Sequence, residues 1–263
     1  MKMNRIEKKF QELRKKKKKA FIAFITAGFP SLGITQKLVL GFEKAGVDIV
    51  ELGVPFSDPM ADGPIIQESS QAALEKRVHI PQILNLVKRL RSKTELPICL
   101  MTYYNPIFCF GQERFVKAAS RCGVDGVIIP DLPPDEGRLF IRLANKYNLD
   151  VICFISPTTS EKRMKYISLA SRGFIYYVSL TGVTGMRRKL PEGLIRNLKA
   201  VKRITDKPVC VGFGIFSASQ IREIYKFADG VIVGSAIVRK IKDNLRRPDL
   251  VLRVSNFVRG LRV

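Results

Sequence analysis

The sequence has one histidine, His79, and no tryptophan among its 263 residues. A single histidine excludes a histidine-rich metal site, and a Ser-His-Asp triad could use only this residue. His79 stands just before Ile80-Pro81, where a helix is predicted to begin, so a capping or surface role is favoured for it. No apolar run approaches the ~20 residues that a membrane-spanning helix needs, which excludes an integral membrane protein.

Acidic residues are scarce: Asp and Glu number 23 against 46 Lys and Arg, which gives a net charge of +23. The basic groups concentrate at the ends, and residues 1–20 carry ten of them against two acidic groups. The sequence contains neither an RNA-binding signature run nor a zinc-finger spacing, so solvated helix faces are favoured over a nucleic-acid partner. The first twenty residues also lack the apolar segment of a secretory signal, which predicts a cytoplasmic location.

The five cysteines have no close spacing of the kind that metal or redox motifs need. Three of them, Cys99, Cys153 and Cys210, lie inside apolar runs. Buried, reduced thiols are therefore predicted.

Short apolar, β-branched runs recur along the chain, and an amphipathic segment follows each of them. Near-continuous hydrophobic runs are typical of parallel strands that are covered on both faces. The pattern predicts an α/β protein, a (β/α)8 TIM barrel with an extra N-terminal helix over the bottom of the barrel. The eight predicted strands are Phe21–Thr26, Asp48–Gly53, Pro97–Tyr103, Gly126–Asp131, Asp150–Phe154, Phe174–Ser179, Pro208–Phe213 and Gly230–Gly234.

The predicted organisation is one domain over residues 1–263. A basic N-terminal helix covers residues 1–19, the barrel core covers 20–240, and a basic C-terminal helix covers 241–263. A doubly wound open sheet is the alternative fold, but no Gly-x-Gly-x-x-Gly follows the first strand.

Two carboxylates near the second strand are the first catalytic candidates. Glu51 stands inside the apolar strand, where a carboxylate is costly unless it is paired or its pKa is raised. The proline-rich loop that follows contains Asp62, and loops after barrel strands carry the active site. Glu51 and Asp62 therefore form a candidate acid–base pair. Pairing of Glu51 with a neighbouring lysine is the alternative.

Glycine-rich turns follow the last three predicted strands. Glycines let backbone N–H groups approach an anion, and a helix N-terminus adds its dipole. The turns predict a phosphorylated substrate, whereas tight turns without a ligand are the alternative. They contain Thr181-Gly182-Val183-Thr184-Gly185, Gly212-Phe213-Gly214-Ile215 and Gly234-Ser235-Ala236.

Residue types that the sequence lacks exclude two further classes of reaction mechanism. The predicted strands contain no lysine for a Schiff base, and a histidine cluster for a metal-dependent aldolase is absent. Acid–base catalysis by carboxylates, without a metal or cofactor in this chain, remains. Tyr103 and Asp131 at strand ends are weaker candidates, as is whichever of Tyr176 and Tyr177 faces into the barrel.

The segment from Glu51 to Gln67, ELGVPFSDPMADGPIIQ, closely resembles the signature of the tryptophan synthase alpha chain family. The turns after strands one, six, seven and eight resemble the same family in order and spacing, over about residues 20 to 240. This resemblance implies a lyase of tryptophan biosynthesis that cleaves indole-3-glycerol phosphate to indole and glyceraldehyde 3-phosphate by a retro-aldol step.

The resemblance also implies roles for individual residues. Glu51 would deliver the proton, Asp62 would accept the indole N–H, and Tyr176 would be the active-site tyrosine. The indole pocket would be lined by Phe24, Ile66, Met101 and Tyr103. Thr184 would orient Asp62, and the phosphate would be held by Gly185, Gly214, Gly234 and Ser235, with Phe213 beside them.

The resemblance implies a partner as well. Alpha chains dock on a beta chain that holds pyridoxal phosphate, in an α2β2 complex, with Pro55, Phe56 and Asp58 near the interface. Another phosphate-binding barrel enzyme, such as a ribose-phosphate isomerase, is an alternative, although it would lack this loop. A catalytically weak chain that is retained to activate the beta subunit is the other alternative.

Overall fold

A computed structural model describes residues 3–178, 193–212 and 214–263 of the chain. Its strands form a closed barrel in which each strand pairs in parallel with the next and β8 returns to β1. The predicted TIM barrel is therefore confirmed. The strands are β1 Ala20–Thr26, β2 Ile49–Gly53, β3 Ile98–Met101, β4 Gly126–Ile128, β5 Asp150–Ile155, β6 Ile175–Val178, β7 Val209–Gly212 and β8 Gly230–Val233.

Helices surround the barrel and cover its outer face. Their buried stripes pack on strands whose residues are almost all buried, so the core is continuous from barrel to helix layer. Within the described residues the helices are α1 Arg5–Lys15, α2 Leu32–Ala45, α3 Pro64–Leu74, α4 Ile80–Arg91, α5 Tyr104–Phe110, α6 Gln112–Cys122, α7 Arg138–Lys146, α8 Glu161–Ala170, α9 Leu194–Ile204, α10 Ala218–Ile224, α11 Ser235–Lys242 and α12 Leu250–Leu261.

Most strand ends agree with the predicted ones to within one residue, but β3 and β4 end two and three residues earlier than predicted. β3 ends at Met101 because α5 begins three residues later, so Tyr103 caps a helix instead of extending the strand. β4 ends at Ile128, two residues before Pro130, which has no N–H to donate to a neighbouring strand.

The C-terminal region also differs from the prediction of one helix over residues 241–263. α11 ends at Lys242, and α12 begins only at Leu250. Pro248 lies in the intervening turn and cannot sit in a helix interior without loss of a hydrogen bond. α12 then packs against α2 on the outside of the barrel.

The N-terminal helix α1 covers the bottom of the barrel, as predicted. Ile6 is fully buried, and its side chain approaches Gly126 at the start of β4 and Gly173 just before β6. Asn4 caps the helix with its side-chain oxygen and donates to the carbonyl of Asp125 at 2.8 Å. These contacts close the N-terminal end, so the site must open at the other end of the strands.

The single histidine caps a helix, and the three cysteines of the apolar runs are buried, both as predicted. His79 is the N-cap of α4, and its N–H donates to the side chain of Gln82 at 3.2 Å. Cys99, Cys153 and Cys210 are buried free thiols, whereas Cys109 is exposed. None of the described helices combines the length and the apolar character that spanning a bilayer requires.

Candidate active site

Glu51 lies in the middle of β2, in register with Phe24 of β1 and Cys99 of β3. Alternation along the strand turns Glu51 into the barrel, whereas Val50 and Leu52 face the helices. The side chain is completely buried, and neither carboxyl oxygen has a hydrogen-bond partner among the described residues. The alternative of a lysine-paired carboxylate is therefore not found in this part of the chain.

The environment of Glu51 determines its protonation. Burial raises the pKa of this carboxyl to about 8, because the interior stabilises the charged form poorly. The group is consequently protonated near pH 7 and holds a proton that it can give to a bound substrate. A raised pKa on a carboxyl inside a barrel, close to the strand ends, is typical of a catalytic acid.

Asp62 lies in the loop of residues 54–63 that connects β2 to α3. Its carboxylate accepts a hydrogen bond of 3.1 Å from the hydroxyl of Tyr103. Burial raises the pKa of Asp62 to about 6, although the Tyr103 hydrogen bond acts in the opposite direction. Asp62 is therefore ionised near pH 7, when Glu51 is still protonated.

The loop that carries Asp62 is held against the barrel by polar and aromatic contacts. The N–H of Ala61 donates to the Tyr103 hydroxyl at 2.9 Å, so one phenol joins two neighbouring residues of the loop. Gln67 at the start of α3 donates to the carbonyl of Asp62 at 2.8 Å. The rings of Phe56 and Tyr103 pack with centroids 5.2 Å apart.

Phe24 and Tyr176 occupy space that glycines leave open. A Cβ atom on Gly53 would lie 2.6 Å from Cζ of Phe24, and a Cβ on Gly212 would lie 2.5 Å from the Tyr176 hydroxyl. The Phe24 ring also approaches Gly234 at the end of β8. Glycine at these positions thus leaves room for two aromatic rings close to the backbone at the ends of the strands.

Tyr176 is the member of the tyrosine pair that faces into the barrel. Its ring lies 4.7 Å from that of Phe154 on the neighbouring strand β5, measured between centroids. Burial, followed by the charge of Glu51, raises the pKa of the Tyr176 phenol well above its ordinary value. The phenol therefore remains neutral, and it lies within the range of electrostatic interaction with Glu51.

The remaining predicted pocket residues are also brought to this end of the barrel. Met101 is in register with Gly53, and each is the last residue of its strand. Ile66 lies on the buried face of α3, one turn before Ser69. Ser69 hydrogen-bonds to Thr26 at the end of β1 at 2.6 Å, which places this face of α3 over the barrel mouth.

The backbone groups predicted to bind the phosphate lie just after β7 and β8. Gly234 is the N-cap of α11, and Ser235 is the first residue of that helix and is exposed. The first N–H groups of a helix have no partner within it and can bind an anion. Gly214 adopts a φ of 75°, a conformation that side chains disfavour.

Three predicted residues, Thr184, Gly185 and Phe213, lie outside the described residues. Over the part of the chain that the structure describes, no three His, Cys, Asp or Glu side chains are grouped so that they could hold a metal ion.

Two residues of the site escaped prediction. Phe154 packs on Tyr176, and Gln67 holds the backbone beside Asp62. Phe154 is the last residue of a predicted strand, and strand ends face the active site of a barrel, so its position could have indicated a role. Gln67 had none, because its contact depends on how the preceding loop folds back on α3.

The chain is similar over almost its whole length to known proteins. A family model for the tryptophan synthase alpha chain matches residues 10–260. The tryptophan synthase alpha chain of Geotalea daltonii is 48% identical, over 99% of this chain and 98% of that protein. A crystal structure of the alpha chain from Legionella pneumophila superimposes with a TM-score of 0.91 at 38% identity, covering 98% of this chain and 96% of that one. A crystal structure of the tryptophan synthase complex from Pyrococcus furiosus gives a TM-score of 0.85 at 34% identity, covering 92% of this chain and 97% of that one.

Proposed function

Since the chain belongs to the tryptophan synthase alpha chain family, we propose that Glu51 and Asp62 form the acid–base pair for its reaction. The family cleaves indole-3-glycerol phosphate to indole and glyceraldehyde 3-phosphate in tryptophan biosynthesis, and this chain is a lyase of that kind. Each step of the cleavage can be assigned to a side chain of the site.

The first step is proton transfer from the Glu51 carboxyl to C3 of the indole ring. Protonation converts the ring to an indolenine in which the nitrogen carries developing positive charge. A protonated carboxyl with a pKa of about 8 can supply this proton near neutral pH. The buried position of Glu51 supports this assignment, because water does not compete for the proton.

The second step breaks the bond between C3 and the adjacent carbon of the glycerol chain. The Glu51 carboxylate left by the first step removes the proton from the hydroxyl on that carbon. The O–H electrons form the aldehyde, and the electrons of the broken C–C bond return to the indole ring. Glu51 thereby regains its proton, and the reaction needs no external oxidant or reductant.

Asp62 stabilises the intermediate between the two steps. Its carboxylate is ionised near pH 7 and can accept the indole N–H, whose acidity increases when C3 is protonated. Tyr103 orients this carboxylate through its 3.1 Å hydrogen bond. Phe24, Ile66, Met101 and Tyr176 would enclose the flat indole ring in apolar surroundings.

Backbone N–H groups at Gly234 and Ser235 would bind the substrate phosphate at the N-terminus of α11, with Gly214 beside them. Gly185 and Phe213 complete the proposed phosphate set, and Thr184 would orient Asp62; all three lie outside the described residues. The phosphate would anchor the glycerol chain so that its first carbon lies beside Glu51.

We also propose a beta chain as the partner, in an α2β2 complex, because a relative of known structure is described as a tryptophan synthase complex. Pyridoxal phosphate would belong to that beta chain, and the cleavage steps use none. The loop with Pro55, Phe56 and Asp58 would face the partner. The exposed Ser57 and Asp58 leave this part of the loop open to contact.

The observation that carries the proposal is the completely buried, unpaired carboxyl of Glu51 inside the barrel. The test measures indole release from indole-3-glycerol phosphate for the native chain and for Glu51→Gln, each with and without a matching beta subunit. We expect Glu51→Gln to lose about 10²–10⁴-fold in kcat, the range that acid–base groups contribute. Glu75→Gln, an exposed change at the end of α3, is the matched control and should retain native activity.

Two results would contradict the proposal. Native-like turnover in Glu51→Gln would remove Glu51 from the proton transfer. No turnover by the native chain with the beta subunit present, together with a faster beta reaction, would favour the alternative of a chain retained for activation.

A further inference from the structure

Six consecutive basic residues, Arg14 to Lys19, run from the last turn of α1 through the turn that leads into β1, and every one of them is exposed. Lys17 adopts a left-handed φ of 53°, which reverses the chain. The N–H of Lys18 donates to the carbonyl of Leu13 at 2.8 Å and closes the helix end. The run is therefore a compact, ordered turn at the N-terminal end of the barrel.

Basic residues from two other segments join this turn. Arg14 donates to the carbonyl of Asp206 at 3.3 Å, just after α9, and Lys19 lies 3.6 Å from Asp229. Lys202 near the end of α9 contacts the same Asp229 at 2.6 Å. We call this region the basic end surface, and it consists of Arg14, Lys15, Lys16, Lys17, Lys18, Lys19, Lys202, Arg203 and Lys226.

The basic end surface is poorly neutralised. Asp206 and Asp229 lie among its nine cations, and a third carboxylate, Asp48, is within electrostatic range of Lys18. Within the described residues, Lys15 to Lys18 have no ion pair. A favourable interaction with the C-terminus of α1 accounts for one or two basic groups in the last turn, but not for this many. Like charges at such density repel one another, so an anionic partner would stabilise the surface.

We propose that the basic end surface binds the phosphodiester backbone of single-stranded nucleic acid. A flexible strand can follow the curved turn, whereas a duplex with a persistence length of about 50 nm would touch only part of it. The turn from Arg14 to Lys19 contains no apolar side chain that could enter a lipid bilayer, which disfavours a membrane surface. It also has no aromatic side chain for base stacking, so binding is independent of sequence and depends on salt.

The position of the surface leaves the active site free. Lys19 leads directly into the first residue of β1, and Asp229 immediately precedes β8. The proposed phosphate site lies at the opposite ends of the same strands. A bound strand and the phosphorylated substrate therefore occupy different ends of the barrel, and nucleic acid should not inhibit indole release.

The test uses the full chain and a labelled 20-nucleotide oligouridylate, with binding followed by fluorescence anisotropy over a range of salt concentrations. The variant carries Lys15→Gln, Lys16→Gln, Lys17→Gln and Lys18→Gln. The control removes four exposed basic groups dispersed over α2, α4, α6 and α8, as Lys37→Gln, Lys88→Gln, Arg121→Gln and Lys162→Gln. Both proteins have the same net charge, so they differ only in where the charge is lost.

We expect the turn variant to bind at least tenfold more weakly than the native chain and the control less than threefold. The slope of log K against log salt should decrease in magnitude by about 2–3 in the turn variant, at about 0.7 for each lost phosphate contact. Indole release by both variants should remain native-like, which verifies the fold.

Equal weakening in the two variants would show that total charge, not this surface, governs binding, and would overturn the proposal. No binding of the oligonucleotide by the native chain at low salt would overturn it as well. Vesicles with 30% anionic lipid are the third arm. Vesicle binding that depends on the same lysines and displaces the oligonucleotide would assign the surface to lipid headgroups instead.

Discussion

The hydroxyl of Tyr103 lies 3.1 Å from a carboxylate oxygen of Asp62 and 2.9 Å from the amide nitrogen of Ala61. The Tyr103 hydroxyl donates a hydrogen bond to the Asp62 carboxylate and accepts one from the N–H of Ala61. One side chain from the β3 end thus fixes both the position and the charge of a carboxylate on a neighbouring loop. This relationship links the stability of the loop to the chemistry proposed for it.

Tyr103→Phe should impair catalysis by raising the pKa of Asp62. The Tyr103 hydrogen bond lowers that pKa, so its removal shifts the pKa upward from about 6. A larger fraction of Asp62 would then be protonated near pH 7 and unable to accept the indole N–H. In a profile of kcat/KM from pH 5 to 9, the apparent pKa of the acidic limb should rise by about half a unit to one unit. One pKa unit corresponds to roughly 1.4 kcal/mol.

Tyr104→Phe is the control for this experiment. Tyr104 begins α5. Its N–H donates to the carboxylate of Asp131, and its ring contacts that of Phe108. Its hydroxyl has no described role at Asp62, so the acidic limb should stay in place. An identical shift in both variants would show that loss of any nearby phenol has this effect, and the proposed positioning role of Tyr103 would fail.

The sequence was sufficient to predict the barrel, because eight buried strands alternate with amphipathic helices and each periodicity is local. It also identified Glu51, since a carboxylate inside an apolar strand is unusual without a function. The contacts of Tyr103 and Gln67 with the Asp62 loop could not be predicted. They depend on the conformation of a ten-residue, proline-containing loop, and an irregular loop has no hydrophobic periodicity from which its path could be read. The end of β3 was misplaced for a related reason: the helix α5 starts within an apolar, aromatic run that also fits a strand.

The native enzyme should show a bell-shaped pH dependence of kcat/KM. Asp62 must be ionised, and its pKa is about 6, whereas Glu51 must be protonated, and its pKa is about 8. Activity should therefore be greatest between these values and fall on both sides. Asp62→Asn should lose most of the activity. Its remaining kcat/KM should no longer fall at acidic pH but should still fall at alkaline pH. A basic limb that disappears in Asp62→Asn would require the two assignments to be exchanged.

Glu51→Gln should stabilise the protein most at alkaline pH. The folded pKa of Glu51, about 8, is raised above the ordinary value of 4.5, so its favourable contribution is complete below pH 4.5 and is lost as pH rises through 8. Glutamine cannot ionise and avoids this loss. The free energy of unfolding, from urea titrations at pH 5 and pH 8, should shift in favour of the variant by roughly 3 kcal/mol between the two pH values. A difference that is the same at both pH values would contradict a raised pKa.

Gly53→Ala should disturb the substrate pocket through Phe24. The new Cβ would lie 2.6 Å from Cζ of Phe24, which is too close, so the ring must move into the barrel mouth. We expect KM for indole-3-glycerol phosphate to rise several-fold and stability to fall by about 1–3 kcal/mol, as in other overpacked cores. Gly260→Ala in α12 is the control, because nothing lies within 4 Å of its Cβ position. That change should leave KM unaltered and stabilise the helix by about 0.5–1 kcal/mol.

The ion pair of Asp125 with Arg91, at 2.6 Å, should stabilise the bottom of the barrel without contributing to catalysis. The Asp125 carboxylate is almost completely buried and also accepts from Arg5 and from the N–H of Ile98. Asp125→Ala would leave the mostly buried Arg91 guanidinium without its carboxylate partner. Removing one member of a buried ion pair costs about 3–5 kcal/mol of stability. Asp249→Ala breaks the exposed pair with Arg253 and should cost far less stability than Asp125→Ala, because solvent screens that pair. Urea unfolding measures both costs, and indole release per folded molecule should match the native value in each variant. Similar costs for the two variants, or a turnover defect confined to Asp125→Ala, would mean that the two ends of the barrel are not separated in the way that the structure indicates.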